Sequence, residues 1–86
     1  MEIIGYLEVY MNRGKVKWFN SKIGYGFIIG PNGEDIFVYF KHIVMEGYKT
    51  LNKNQYVEYE IEEVDNRLQA RNVVPMRFDV STEKAD

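Results

Sequence analysis

Residues 14–40 alternate in a way that extended chain explains. Tyr25 and Phe27 fall on one side of a strand and Gly26 and Ile28 on the other; further on, Phe37 and Tyr39 share one side and Ile36 and Val38 the opposite one. Before them, Val16 stands between Lys15 and Lys17. The pattern predicts strands over residues 13–20, 25–30 and 35–40. Turns at Asn20 to Gly24 and at Gly30-Pro31-Asn32-Gly33 join them, the second because proline presets φ while asparagine and glycine accept a positive one. Residues 55–63 alternate again, with Val57, Tyr59 and Ile61 facing one way and Glu58, Glu60 and Glu62 the other, which describes a half-buried strand with an acidic outer face. Asp65-Asn66 is a two-residue hairpin turn that sends the chain back as a fifth strand over residues 67–74.

Between strands three and four, Lys41 to Asn54 shows neither period. A connection that long in a small domain is functional or carries a short helical turn, placed here at Lys41-His42-Ile43. Five short strands, no amphipathic helix and one long connection predict an all-β fold, a five-stranded antiparallel OB-fold barrel, whose oligonucleotide surface centres on strands two and three. Residues 1–10 are apolar and β-prone and are read as an extension: an added or exchanged strand, or a loose arm. Residues 11–75 form the domain and residues 76–86 a polar tail.

The rings change this picture from a fold to a site. Residues 14–40 hold Trp18, Phe19, Tyr25, Phe27, Phe37, Tyr39 and Phe40, more aromatic surface than the core of an 86-residue chain can bury. Pairing strands two and three puts Tyr25, Phe27, Phe37 and Tyr39 on one surface, with the aliphatic residues beneath as core. Strict alternation puts Trp18 on the Val16 side and Phe19 with the lysines, so both rings reach a ligand only if the first strand bends or bulges. Rings rimmed by Lys15, Lys17 and Lys22 describe a platform for single-stranded nucleic acid, on which each stacked base contributes about 1–3 kcal/mol and basic groups track the phosphates.

The net charge of −2 argues against a polyanionic partner only until the charges are placed. Residues 12–42 carry five basic groups against two acidic ones, a balance of +3 where the rings are, while the acidic excess lies outside that stretch. A local field of one sign steers a polyanion even to a weakly acidic protein. There is no cysteine, so neither a disulfide nor a thiolate metal site is available, and a reducing cytoplasm is the default compartment. Neither a membrane span nor a signal peptide is legible.

Gly14-Lys15-Val16-Lys17-Trp18-Phe19-Asn20, Gly24-Tyr25-Gly26-Phe27-Ile28 and Ile36-Phe37-Val38-Tyr39-Phe40 resemble the opening signature and the two ribonucleoprotein-type motifs of a cold-shock domain. Gly47-Tyr48-Lys49-Thr50-Leu51 and Gln69-Ala70-Arg71-Asn72-Val73 are similar to its later landmarks, in a consistent order over roughly residues 11–75. The resemblance implies a small cytoplasmic protein that binds single-stranded RNA and DNA, often pyrimidine-rich, and melts RNA hairpins without ATP. By motif it implies binding by Lys15, Lys17, Trp18, Phe19 and Asn20, stacking by Tyr25, Phe27, Phe37, Tyr39 and Phe40, a polar base contact from Asp35, and contributions from Tyr48 and Arg67. It departs at Ile23, where the family usually has lysine, and at Tyr39, where it usually has histidine.

Other readings carry less. His42 is the only histidine and has no partners at catalytic or metal-ligand spacing, so neither a nuclease site nor a metal nor any other cofactor is expected. The alternating glutamates spread over a strand instead of converging on a cation. The alternative class is a small β-barrel that docks proline-rich peptides on its aromatic groove. A monomer is expected, with a strand-exchanged dimer through residues 1–10 as the variant.

Overall fold

Val16, Ile28, Ile36, Val38, Val57 and Val73 are fully buried, each contributed by the inward side of an alternating strand. The chain folds by closing that side on itself. The computed structural model describes residues 11–76, and in it the strands are β1 (Asn12–Asn20), β2 (Tyr25–Ile29), β3 (Asp35–Tyr39), β4 (Tyr56–Val64) and β5 (Arg67–Pro75). They form a closed barrel in the order β1-β2-β3-β5-β4, with β4 pairing back onto β1. Every seam is antiparallel except the one between β3 and β5, which is parallel through Phe37 opposite Gln69. A closed barrel of five strands cannot be antiparallel at every seam, and here the odd seam falls between β3 and β5 because β4, after the long connection, pairs with β1 instead of β3.

The expected strand limits hold to within a residue. The third strand ends at Tyr39 because Phe40 enters a 3-10 turn, Phe40–His42, one residue earlier than the Lys41-His42-Ile43 turn expected. At the β4–β5 hairpin both Asp65 (φ 52°) and Asn66 (φ 66°) are left-handed, the pair of angles whose twist matches flanking strands. Met76, assigned by sequence to the tail, still donates its amide to the Tyr56 carbonyl at 3.0 Å. The extension over residues 1–10 and the rest of the tail lie outside the described residues.

Among the described residues Tyr59 is the largest fully buried side chain, and its hydroxyl has no hydrogen-bond partner among them. An unsatisfied buried hydroxyl costs about 1–3 kcal/mol. Tyr59→Phe is therefore expected to raise stability by about 1 kcal/mol, read as a higher urea midpoint with an unchanged slope. Burial, and secondarily the Glu34 carboxylate, raise the Tyr59 phenol above its ordinary value of 10.0. The folded state thus holds that proton more tightly than the unfolded chain. The associated stability is complete below pH 10 and is lost as pH climbs through the raised value, a loss the phenylalanine variant should lack.

Candidate nucleic-acid interface

Antiparallel pairing of β2 with β3 sets Tyr25 opposite Tyr39 and Phe27 opposite Phe37, while Gly26–Val38 and Ile28–Ile36 face the core. The four rings expected on one surface are on one surface. Two more join them, so that Trp18, Tyr25, Phe27, Phe37, Tyr39 and Phe40 form an unbroken strip with successive centroids 4.9–6.5 Å apart. Most neighbours are tilted or edge-on, whereas Phe37 and Tyr39 lie nearly parallel at 15°. None of the six belongs to the buried core, and Trp18 keeps 39% of its surface exposed. A strip of this kind offers successive π-faces to successive bases.

Trp18 reaches the strip because β1 bulges. Val16 pairs with Ile28 and Trp18 with Phe27, so three residues of β1 oppose two of β2 and Lys17 is the extra one. One inserted residue inverts every side chain that follows it. Trp18 therefore turns outward. Phe19, which strict alternation places with the lysines, is corrected to the other side: it sits opposite Gly26, half-buried and packed against the core cluster. The bulge delivers one ring to the surface and withdraws the other. The strands also approach closely here, since a Cβ on Gly26 would stand 2.1 Å from the Trp18 carbonyl oxygen.

The remaining candidates are placed less uniformly. The Lys17 ammonium lies beside the strip and donates to both Asp35 carboxylate oxygens, at 3.1 and 3.3 Å, so these two residues form a pair that a ligand must share or open. Lys15 instead stands over the Tyr56 ring at 5.4 Å, on the seam with β4. Asn20 is used by the fold: its side-chain oxygen accepts from the Lys22 and Ile23 amides at 2.9 and 3.1 Å and shapes the β1–β2 turn. Tyr48, in the long connection, is 70% exposed and lines an open cleft with Phe40, Lys22 and Ile23.

Arg67 opens β5 and lines a second cleft with Phe37, Leu68 and Gln69. Gln69 was not among the candidates; only the parallel seam brings it to Phe37, and no local signal announces that contact. Among the described residues no group of three or more His, Cys, Asp or Glu side chains is placed to hold a metal ion, and no helix is long and apolar enough to cross a membrane.

Comparison with known proteins agrees with this geometry. The family model for the 'cold-shock' DNA-binding domain matches residues 12–76. The chain is 51% identical over 65 residues to cold shock protein 1 of Lactiplantibacillus plantarum, covering 76% of this chain and 98% of that one. It is 56% identical over 61 residues to a cold shock-like protein of Thermotoga maritima, covering 71% and 92%. With cold shock protein CspB of Bacillus caldolyticus it shares 52% over 66 residues, covering 77% and 100%. The solved structure of drosophila Unr CSD456 superposes with a TM-score of 0.69 at 16% identity, covering 99% of this chain and 32% of that one, a likeness of fold. The domain-wide match, together with relatives about half identical over nearly their whole length, shows that this chain belongs to the cold-shock domain family of nucleic-acid-binding proteins.

Proposed function

We propose that the chain binds single-stranded RNA and DNA along the ring strip and acts as an ATP-independent RNA chaperone. The observation that carries this reading is the unbroken run of six rings outside the core, with Lys17 at its edge. A protein that takes up only the open strand draws a hairpin toward its unpaired form by mass action, with no catalysis needed. Two or three stacked bases, at about 1–3 kcal/mol each, suffice to oppose a weak stem. Antitermination of transcription and control of translation would follow from the same event. Pyrimidine-rich segments are the proposed targets and a monomer the proposed active form.

Trp18 is the only tryptophan, which makes its emission a direct probe of the strip. Titration with a short pyrimidine oligonucleotide at low salt is expected to quench it. The plot of log affinity against log salt should be shallow, with a slope of roughly −1.5 to −3 for about two to four phosphate contacts. Unchanged emission without binding would remove the proposal, and binding of proline-rich peptide with no salt dependence would favour docking by packing. For chaperone action, a dye-labelled RNA hairpin with a weak stem should open on addition of protein alone. A stem that stays closed under saturating protein would restrict the function to binding.

A further inference from the structure

β4 outruns the strand beside it. β1 meets β4 from Asn12 opposite Tyr59 to Lys15 opposite Tyr56, yet β4 continues to Val64. From Glu60 to Val64, therefore, one edge of β4 has no partner strand among the described residues, while β5 covers the other edge as far as Val64 opposite Arg67. Val64 and Arg67 close a two-residue turn and so exchange hydrogen bonds with each other. Alternation then commits the Glu62 main chain to β5 and turns the amides and carbonyls of Ile61 and Glu63 toward the bare edge.

The side chains along this edge are those of a sheet that continues. Ile61 is half-buried and packs against the core cluster, and Val64 is 40% exposed although apolar. A bare edge beside apolar side chains is a template for a further strand. Residues 1–10 lead directly into Met11 and β1, and their last five, Tyr6-Leu7-Glu8-Val9-Tyr10, are mostly strand-forming residues.

We propose that residues 7–10 continue β1 in unbroken register along the bare edge of β4 of the same chain. Carrying the observed register on, one residue back before β1 for each residue forward on β4, sets Tyr10 opposite Ile61, Val9 opposite Glu62, Glu8 opposite Glu63 and Leu7 opposite Val64. Opposite residues share a face, so Tyr10 extends the core side over Ile61 and Leu7 covers Val64. Glu8 against Glu63 is the unfavourable pair, but Glu63 is exposed, where salt screens the repulsion. The added strand lies across β4 from β5, away from the ring strip, and leaves the strip open. What it holds in place is the β4–β5 hairpin, whose Arg67, Leu68 and Gln69 line a cleft with Phe37.

Amide hydrogen exchange of the full chain tests the pairing. The Ile61 and Glu63 amides are expected to exchange about fivefold or more slowly in the wild type than in Tyr10→Pro, the equivalent of one net hydrogen bond, because proline removes the donor that faces Ile61. The Val57 amide, set against Gly14, should exchange alike in both and so reports an intact barrel. Equal rates at Ile61 and Glu63 in the two chains would overturn the inference. Cysteine pairs then read register and copy, since the chain has no cysteine of its own. Leu7 and Val64 form a pair without mutual hydrogen bonds, about 4.5 Å apart between Cα atoms and within disulfide range. Under mild oxidation Leu7→Cys/Val64→Cys should form a disulfide within the monomer, and Glu8→Cys/Val64→Cys, whose side chains face opposite ways, should not. A disulfide-linked dimer would assign the strand to a second copy and overturn the inference. Equal linking of both pairs, or of neither, would show an arm without register and overturn it as well.

Discussion

Phe27→Ala and Phe37→Ala are each expected to weaken binding of a short pyrimidine oligonucleotide by about 1–3 kcal/mol, roughly five- to over a hundredfold, while the barrel stays folded. Phe37 is the middle of the strip, with ring neighbours Tyr25 at 5.4 Å, Phe27 at 5.7 Å and Tyr39 at 6.5 Å. Truncating it removes one stacking face and also loosens the neighbours, so its loss should be the larger. Because the two phenylalanines are directly paired across β2 and β3, the double variant should lose less than the sum of the single losses. The fold should survive because the opposite side of the same strands carries Ile28, Ile36 and Val38, fully buried and untouched by either change. Quenching of Trp18 measures the binding, and a urea transition measures the fold. Unfolding of both variants would show that the rings hold the core together and would withdraw them from the site.

The second large effect falls on stability. Gly26→Ala is expected to destabilise the domain by roughly 3 kcal/mol or more, at or above the usual range for overpacking. The reason is what the new methyl meets: the Trp18 carbonyl oxygen at 2.1 Å and the Phe19 Cα at 2.6 Å, both main-chain atoms of the neighbouring strand. A side chain can swing aside, but a strand moves only by opening the seam. Here the seam includes the Lys17 bulge that turns Trp18 outward, so stability and the tryptophan's place on the strip should fail together. For a domain whose total stability is of order 5 kcal/mol, such a loss leaves little reserve. A lowered thermal midpoint together with a shifted Trp18 emission maximum in the absence of ligand would register both. A variant as stable as the wild type, with unchanged emission, would show that β1 and β2 are not held at this spacing in solution.

Together the two predictions separate the faces of the same strands. Phe27 and Phe37 alter what the sheet offers to a ligand, whereas Gly26, next to Phe27 on the inner side and flanked by Phe19 of β1 and Val38 of β3, alters how closely the strands pack. The placement of charge follows the same division. Lys17 stands at the strip but in company with Asp35, and Arg13 is engaged with Glu58 at 3.1 Å on the β4 side. The local basic excess is thus partly internalised, which is why a shallow salt dependence is expected in spite of the number of lysines in the segment.

Much of the fold was legible in the chain because it depends on short-range chemistry. Alternation named the aliphatic residues that fill the barrel and the four rings that face away from it. Asp65 and Asn66 announced their turn because both tolerate the left-handed backbone a tight hairpin requires, and both adopt it. The motifs around Trp18, Tyr25 and Phe37 were sufficient to indicate the family. What stayed hidden were relations between residues distant in sequence. A period-two pattern contains no record of an inserted residue, so only the pairing of β1 with β2 decided that Trp18 faces out and Phe19 in. Likewise Gln69 met Phe37 through a parallel seam, and Ile23 met Tyr48 across a cleft, because barrel closure and a long connection carried them there. The sequence by itself determined which aliphatic residues of β2 and β3 are buried and that the four rings of those strands lie on the opposite side, since those are properties of a strand and its two faces. The tertiary structure alone decided register, charge pairing and the company each ring keeps, since those arise from how strands are set against one another.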